Sequence, residues 1–186
     1  MYTLRNWTAS LAEKLEAIAA AGYSGIEPFG PLQPPAQELA SLLQQYGLRV
    51  CSSHVGLATI EEDTEGVVKY HSVLGNDTIV VPWLAVGDRP NSKETWQALG
   101  LKLDKLGAEV RSLGARLLYH NHDFEMVVID GRTGLQWMVD AASPENLGLE
   151  IDAGWVVAGG QDPIALLREY TGRVPRLHAK EAFPAG

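Results

Sequence analysis

Ala115-Arg116-Leu117-Leu118-Tyr119-His120-Asn121-His122-Asp123-Phe124-Glu125 begins as an apolar run and ends in a dense polar turn. Read as a strand, its side chains alternate, so Leu118, His120 and His122 share one face. Two imidazoles at the carboxyl end of a buried strand need hydrogen-bond partners or a metal. What the neighbouring strands carry at the same end decides both the fold and the site.

Downstream, Asn146 to Asp152 reads as another strand, with Leu147, Leu149 and Ile151 on one face and Gly148, Glu150 and Asp152 on the other. Val174 to Lys180 is a further strand, with His178 and Lys180 opposite Leu177 and Ala179. Upstream, Ser24 to Glu27, Leu48 to His54 and Thr78 to Trp83 are strand-like, and two of them end in Glu27 and His54. Between them, helical spacing predicts helices from Thr8 or Ser10 to Gly22, over Ala36–Tyr46, Glu61–Leu74 and Ser92–Leu113, near Leu135–Ala141, and over Ile164–Tyr170. A short extended excursion turns at Asp130-Gly131, and a loop runs through Gly159-Gly160 and Asp162-Pro163.

Strand and helix alternate with short connections, which predicts an α/β fold with a parallel sheet. No glycine-rich phosphate loop follows the first strand, so a dinucleotide-binding open sheet has little support. Polar residues gather instead at the carboxyl ends of several strands, where a TIM (β/α)8 barrel builds its active site. The chain reads as one domain over all 186 residues. A typical barrel needs about 250 residues, with 200 near the lower limit. About seven strands are visible if Tyr2-Thr3-Leu4-Arg5 is the tail of a first strand, and no eighth strand or helix follows Lys180. The expectation is an incomplete barrel, truncated at both ends.

The formal net charge of −8 argues against a nucleic-acid partner. Every apolar run falls well short of the roughly 18 residues of a membrane span. One cysteine, Cys51, excludes an internal disulfide framework and fits a reducing, cytoplasmic setting. No secretory signal is visible at the N-terminus, although an upstream one would escape notice if the start is clipped. An unclosed parallel barrel exposes two strand edges, which makes a homo-oligomer one way to cover them.

Taken singly, each polar strand end has a plain explanation. A strand-end histidine is more often a hydrogen-bonded structural residue than a ligand, and Glu27 or Glu150 can form an ordinary ion pair. His71, inside a helix and followed by Ser72, reads as solvated surface. Trp83 and Trp155 are packing residues by default, though a tryptophan at a strand end can flank a sugar face. The combination points further. His120 or His122, with Asp152 and His178, offers imidazole nitrogen and carboxylate oxygen from three strands. Such a mixed set suits a divalent metal, Mn²⁺, Zn²⁺, Co²⁺ or Mg²⁺. A metal there would polarise a carbonyl so that a base such as His122 or Glu150 removes a neighbouring carbon-bound proton, with Lys180 stabilising the enediolate oxygen.

Several stretches resemble the xylose isomerase-like TIM barrels of the sugar phosphate isomerase/epimerase superfamily. Gly25-Ile26-Glu27 is similar to the family's second strand and Tyr119 to Glu125 to a fifth-strand motif. Asp152-Ala153-Gly154-Trp155 with Gly159-Gly160-Gln161-Asp162-Pro163 resembles the sixth, and Arg173 to Lys180 the seventh. The resemblance implies metal ligands at His120, Asp152 and His178, leaving His122, Glu150 and Lys180 for proton transfer and catalysis. Glu27, His54, Trp83 and Trp155 would bind the substrate. It implies an isomerase or epimerase acting on a sugar, sugar phosphate or related polyol. A lyase of the same fold, such as an inosose-type dehydratase or a keto-glycoside lyase, is the close rival, and a non-catalytic barrel binding a sugar or partner chain is the third reading. The epimerase branch has glutamate where this chain has His120, which weakens the two-glutamate mechanism. Endonuclease IV has a histidine three residues after the sixth-strand aspartate, where this chain has Trp155, and this argues against DNA repair.

Overall fold

A computed structural model describes residues 1–181. Ser10 opens α1 (Leu11–Ala20) with a capping box, in which the Glu13 N–H donates to Ser10 Oγ and the Ser10 N–H donates to the Glu13 carboxylate. β1 (Gly25–Ile26), α2 (Ala36–Gln45), β2 (Arg49–Val50) and β3 (Ser53–His54) follow. Next come α3 (Leu57–Glu62), α4 (Thr64–Val73), β4 (Thr78–Val81), α5 (Lys93–Ser112) and β5 (Arg116–His120). A hairpin of β6 (Val128–Ile129) and β7 (Arg132–Thr133) precedes α6 (Gly134–Asp140) and β8 (Leu147–Asp152). The chain then forms α7 (Ala153–Ala158), α8 (Pro163–Glu169) and β9 (Arg176–His178).

β3, β4, β5, β8 and β9 form one parallel sheet in that order, and β1 pairs with β2, also in parallel. The Phe29–His54 bridge and the bond from the Cys51 N–H to the Ile26 carbonyl tie the two together. Neighbours in space are therefore neighbours in sequence, apart from the β6–β7 hairpin, as in an incomplete TIM barrel. Three residues pack the outer face of β8, Leu147, Leu149 and Ile151. They join Ile79, Val81, Leu117 and Tyr119 against Trp96, Leu103 and Val110 of α5 and Leu135, Met138 and Val139 of α6. A second cluster, Leu15, Ile26, Leu39, Leu43, Leu48 and Val50, seals the β1–β2 end. Leu118 is equally buried but faces inward, toward Gly148, where an added Cβ would lie 2.5 Å from its Cδ2. The alternation expected of β5 and β8 is the alternation observed.

The structure corrects four expectations. Residues 2–4 form a 3₁₀ turn, not the tail of a strand. The Leu4 and Arg5 N–H groups bond back to Met1 and Tyr2 carbonyls at 3.0 Å, so they need no neighbouring strand. With that segment removed and β2–β3 taken as one run, six strands build the curled sheet among the described residues. The segment 48–54 divides at Cys51-Ser52 because its lower half pairs with β1 and its upper half with β4. Cys51, at that break, is exposed. The predicted helix over residues 61–74 is two helices, broken at Asp63, whose carboxylate caps α4 by accepting the Gly66 N–H at 2.9 Å.

His71 is the fourth. It is only 2% exposed, on the stripe Thr64, Val67, Val68 and His71 that α4 turns inward. Its Nδ1 lies 2.8 Å from the Val67 carbonyl, so the neutral ring donates there. Burial lowers its pKa below the ordinary histidine value, an effect that the Val67 bond opposes only in part. A histidine with a lowered folded pKa takes up its proton more readily when unfolded. Stability is therefore complete above about pH 6.5 and declines as the pH falls below it. In urea titrations at pH 7.5 and pH 5.5, His71→Leu is expected to flatten that acid decline, and an unchanged decline would refute the assignment.

Candidate metal centre

Parallel pairing sets His120 of β5 directly beside Glu150 of β8, and Asp152 beside His178 of β9. All four side chains sit on the inward face, joined by His54 from the end of β3. Glu150 Oε1 lies 2.7 Å from His54 Nε2, 3.1 Å from His120 Nδ1 and 3.3 Å from His178 Nε2. Each of these four residues offers one ligand atom within 4.8 Å of the others. The three rings touch, with centroids 4.8 to 5.6 Å apart. Glu27 closes the cluster from β1: its Oε2 is 2.8 Å from His178 Nε2 and 3.3 Å from His54 Nε2, while its Oε1 accepts from Ser52 Oγ at 2.5 Å.

The charges follow from this packing. Glu150 is 1% exposed, and burial alone would raise its pKa. The hydrogen bonds from His120 and His54 outweigh burial and hold it well below the carboxylate range. Burial lowers the pKa of His120 despite its bond to Glu150. His178 goes the other way, up to about 10, because the Asp152 and Glu27 carboxylates flank it. Burial pushes His122 down to about 4, helped by His120 and Lys180 nearby, so its ring is uncharged at neutral pH.

Asp152 is held on every side. Its Oδ1 accepts the Trp155 N–H at 2.9 Å, capping α7, and its Oδ2 lies 2.9 Å from Lys180 Nζ. Its N–H donates to Asn121 Oδ1 at 2.9 Å, and its carbonyl accepts from Asn121 Nδ2 at 3.3 Å. Asn121 thus extends the β5–β8 ladder by one rung with a side-chain amide. Lys180 reaches Asp152 across Gly154, where an added Cβ would stand 2.7 Å from Lys180 Cγ. Its ammonium also lies 4.2 Å from the Trp155 ring centroid.

His122 stands beside the cluster. Its ring packs on His120, Phe124 and Trp155, and its Nδ1 is buried without a hydrogen-bond partner among the described residues. Trp83 is not brought into the polar cluster. It is 48% exposed on the rim, where the Arg89 guanidinium lies 5.8 Å from its ring and 3.9 Å from the Phe124 ring.

Sequence reasoning assigned no role to Asn121 or Glu125. Glu125 is fully buried, accepting from Tyr119 Oη and from the His122 N–H at 2.8 Å each. Burial raises its pKa to about 7 against those bonds. It ties the turn after β5 to the strand itself. The available signal was an acid sitting next to Met126 and three residues beyond His122, a position too apolar for a free carboxylate.

The donor set fits a divalent cation. Three imidazoles and a carboxylate within ligand reach suit Zn²⁺, Co²⁺ or Mn²⁺ better than Mg²⁺, which prefers oxygen and water. His120 and His178 would belong to any such site, with Glu150, Asp152 or both supplying oxygen. The cluster lies at the carboxyl ends of the strands, the end at which TIM barrels build their active sites.

A model of the family described as xylose isomerase-like TIM barrel matches residues 15–185, and the chain belongs to that family. Among curated relatives, an inosose dehydratase from Lacticaseibacillus casei is 23% identical over 188 residues, covering 91% of this chain and 62% of its own length. The chain thus spans less than two thirds of that relative. A sugar phosphate isomerase/epimerase from Parabacteroides distasonis superimposes with a TM-score of 0.85 at 18% identity, over 96% of this chain and 76% of that one. A probable 3-DHS dehydratase from Bacillus anthracis gives a TM-score of 0.70 at 12% identity, over 94% of this chain and 69% of that one.

Asn121→Ala removes both bonds to the Asp152 backbone and leaves a buried N–H unsatisfied. It is expected to cost about 1–3 kcal/mol in urea unfolding. A loss below about 0.5 kcal/mol would show that the freed Asp152 backbone groups find other partners and that the amide rung matters little.

Proposed function

We propose that this domain enolises a keto-sugar or keto-polyol and expels the oxygen substituent β to the carbonyl, a lyase reaction whose simplest leaving group is water. The observation that carries this reading is one uncharged, unpartnered imidazole, His122, set near one ammonium, Lys180, beside a cluster built for a divalent cation. Elimination needs a base for the carbon-bound proton and an acid for the departing oxygen. When bound, the cation would supply Lewis acidity, polarising the substrate carbonyl.

The residues divide the work as follows. His122, uncharged at neutral pH, takes the proton next to the carbonyl. The electron pair moves into the new carbon–carbon double bond as the β carbon–oxygen bond breaks, and Lys180 protonates the leaving oxygen. Asp152, paired with Lys180 at 2.9 Å, keeps the ammonium aimed at the mouth. Trp155 offers a flat face beside both groups, and Trp83 with Arg89 borders the outer rim, where the rest of a carbohydrate would lie. The inosose dehydratases among the relatives support elimination.

Isomerisation or epimerisation is the second reading, favoured by the sugar phosphate isomerase/epimerase among the structural neighbours. Against it stands His120, an imidazole where a two-carboxylate proton exchange would need a glutamate. Both readings share the fold, the cation and a small carbohydrate substrate, without nucleic acid or membrane. No helix among the described residues is long and apolar enough to cross a membrane.

Proton NMR on a keto-inositol incubated with the purified protein and Mn²⁺ or Co²⁺ in D₂O separates these outcomes. The expected product has lost one water and carries the signals of an enone or its tautomer. His122→Ala should slow its formation by about 10²–10⁴-fold. A product that keeps its water and gains deuterium at carbon would replace the lyase with an isomerase. No conversion of any keto-polyol would favour a barrel that only binds.

A further inference from the structure

A cavity of about 460 Å³ lies at the other end of the sheet, under the amino-terminal ends of β5, β8 and β9. Its walls include Arg111 from the last turn of α5, Arg116 at the start of β5 and Arg173 from the turn between α8 and β9. Leu118 and Gly148 also line it, and the Leu118 side chain takes up the space that a side chain at residue 148 would need. At about 3.3 Å per residue, Arg116 stands roughly 13 Å from His120 along β5, so a small molecule seated here does not touch the metal centre.

These arginines are anchored but not all neutralised. Arg173 donates from Nε to the Leu147 carbonyl and from Nη2 to the Ala142 carbonyl, both at 2.8 Å. Arg111 donates from Nε to Asn146 Oδ1 at 3.2 Å, and Asn146 is held from behind by Asp104, which accepts its Nδ2 at 2.8 Å. Neither guanidinium forms an ion pair with a carboxylate among the described residues. Arg116 does, with Asp77 Oδ2 at 2.9 Å, while Asp77 Oδ1 accepts from Thr78 Oγ1 at 2.7 Å. A guanidinium has five N–H donors, so most of those on the three forks stay available. The lining holds three arginines against two acids, Asp77 and Glu145, in a chain whose net charge is −8.

We infer that this cavity binds the phosphate monoester of a small polyol, at a site separate from the metal centre and independent of the reaction proposed above. Guanidiniums arriving from three segments suit a tetrahedral dianion, whose oxygens accept from several directions. A flat carboxylate is satisfied by one fork. The bonds to carbonyls and to Asn146 hold Arg111 and Arg173 in place before binding, so little freedom is lost on capture. The volume exceeds that of a phosphate group alone and leaves room for an organic body. Leu118, Pro144 and Pro175 offer apolar contact to its carbon skeleton. Glu145, exposed and without an ion pair among the described residues, is an acceptor for its hydroxyls.

Glycerol 3-phosphate and sorbitol 6-phosphate, each titrated into the ¹⁵N-labelled chain with a chelator present, test the site through backbone amide shifts. Saturable shifts are expected at residues 114–118, 145–148 and 172–173, with His120, His122 and Asp152 unmoved. Arg111→Gln and Arg116→Gln alter exposed side chains and should each weaken binding about 10-fold or more. Lys180→Gln, at the opposite end, should leave the affinity as it is. Free glycerol and sorbitol should shift nothing, and inorganic phosphate should bind more weakly than either ester. Cooperative urea unfolding verifies that the variants are folded, and if one arginine variant is not, the other decides. No saturable shift with either ester, shifts confined to the mouth, or wild-type affinity in the folded arginine variants overturns the site. Inorganic phosphate binding as tightly as both esters overturns the polyol. None of these failures touches the metal reading, which rests on other residues.

Discussion

The register between β5 and β8 places His120 opposite Glu150, and most of the strand-end chemistry depends on that single pairing. A shift of one residue would turn both side chains into the apolar layer beneath α5 and α6 and bring Tyr119 and Leu149 into the mouth. The register is held by the burial of Leu117, Tyr119, Leu147, Leu149 and Ile151 on the opposite face. The same packing that stabilises the sheet therefore aims the site. Asn121 adds to this by pairing with the Asp152 backbone just beyond the last regular rung.

A carboxylate as buried as Glu150 is costly unless its charge is matched. Three imidazoles on one of its oxygens meet that cost and produce a cluster in which the histidines take unlike states. His178 holds a proton up to about pH 10 because two acids flank it, whereas burial keeps His122 uncharged down to about pH 4. Similar side chains a few ångströms apart thus acquire different chemistry from their surroundings alone. Such divergence is what a site needs if one group is to accept a proton while another stays charged.

The cluster also explains features that look unrelated along the chain. Gly154 leaves room for Lys180 to lie across the start of α7, and the Asp152 that receives Lys180 is the residue that caps that helix. Glu125 is buried because Tyr119 and the His122 backbone need an acceptor where the chain leaves β5. These contacts fix the positions of the strand-end side chains relative to one another.

Much of this was legible from the sequence. Period-two alternation in Leu147 to Asp152, helical stripes closed by glycines, and polar residues repeating at strand ends determined an α/β barrel with its site at one mouth. Those signals are local, set by the geometry of a strand or a helix turn, and they carry over into any tertiary arrangement. His71 shows the same logic missed: its spacing from Thr64, Val67 and Val68 marked it as buried, but its polarity suggested otherwise. Contacts between distant segments were decided only by the tertiary structure. Nothing in the order of residues says that Lys180 claims Asp152, that Asn121 completes a rung, or that Glu150 lies at the meeting point of three histidines 28 to 96 positions away. Strand parity fixes which way a side chain points, but which charges meet depends on the curl and stagger of the sheet, and those arise only when the whole set of strands has packed.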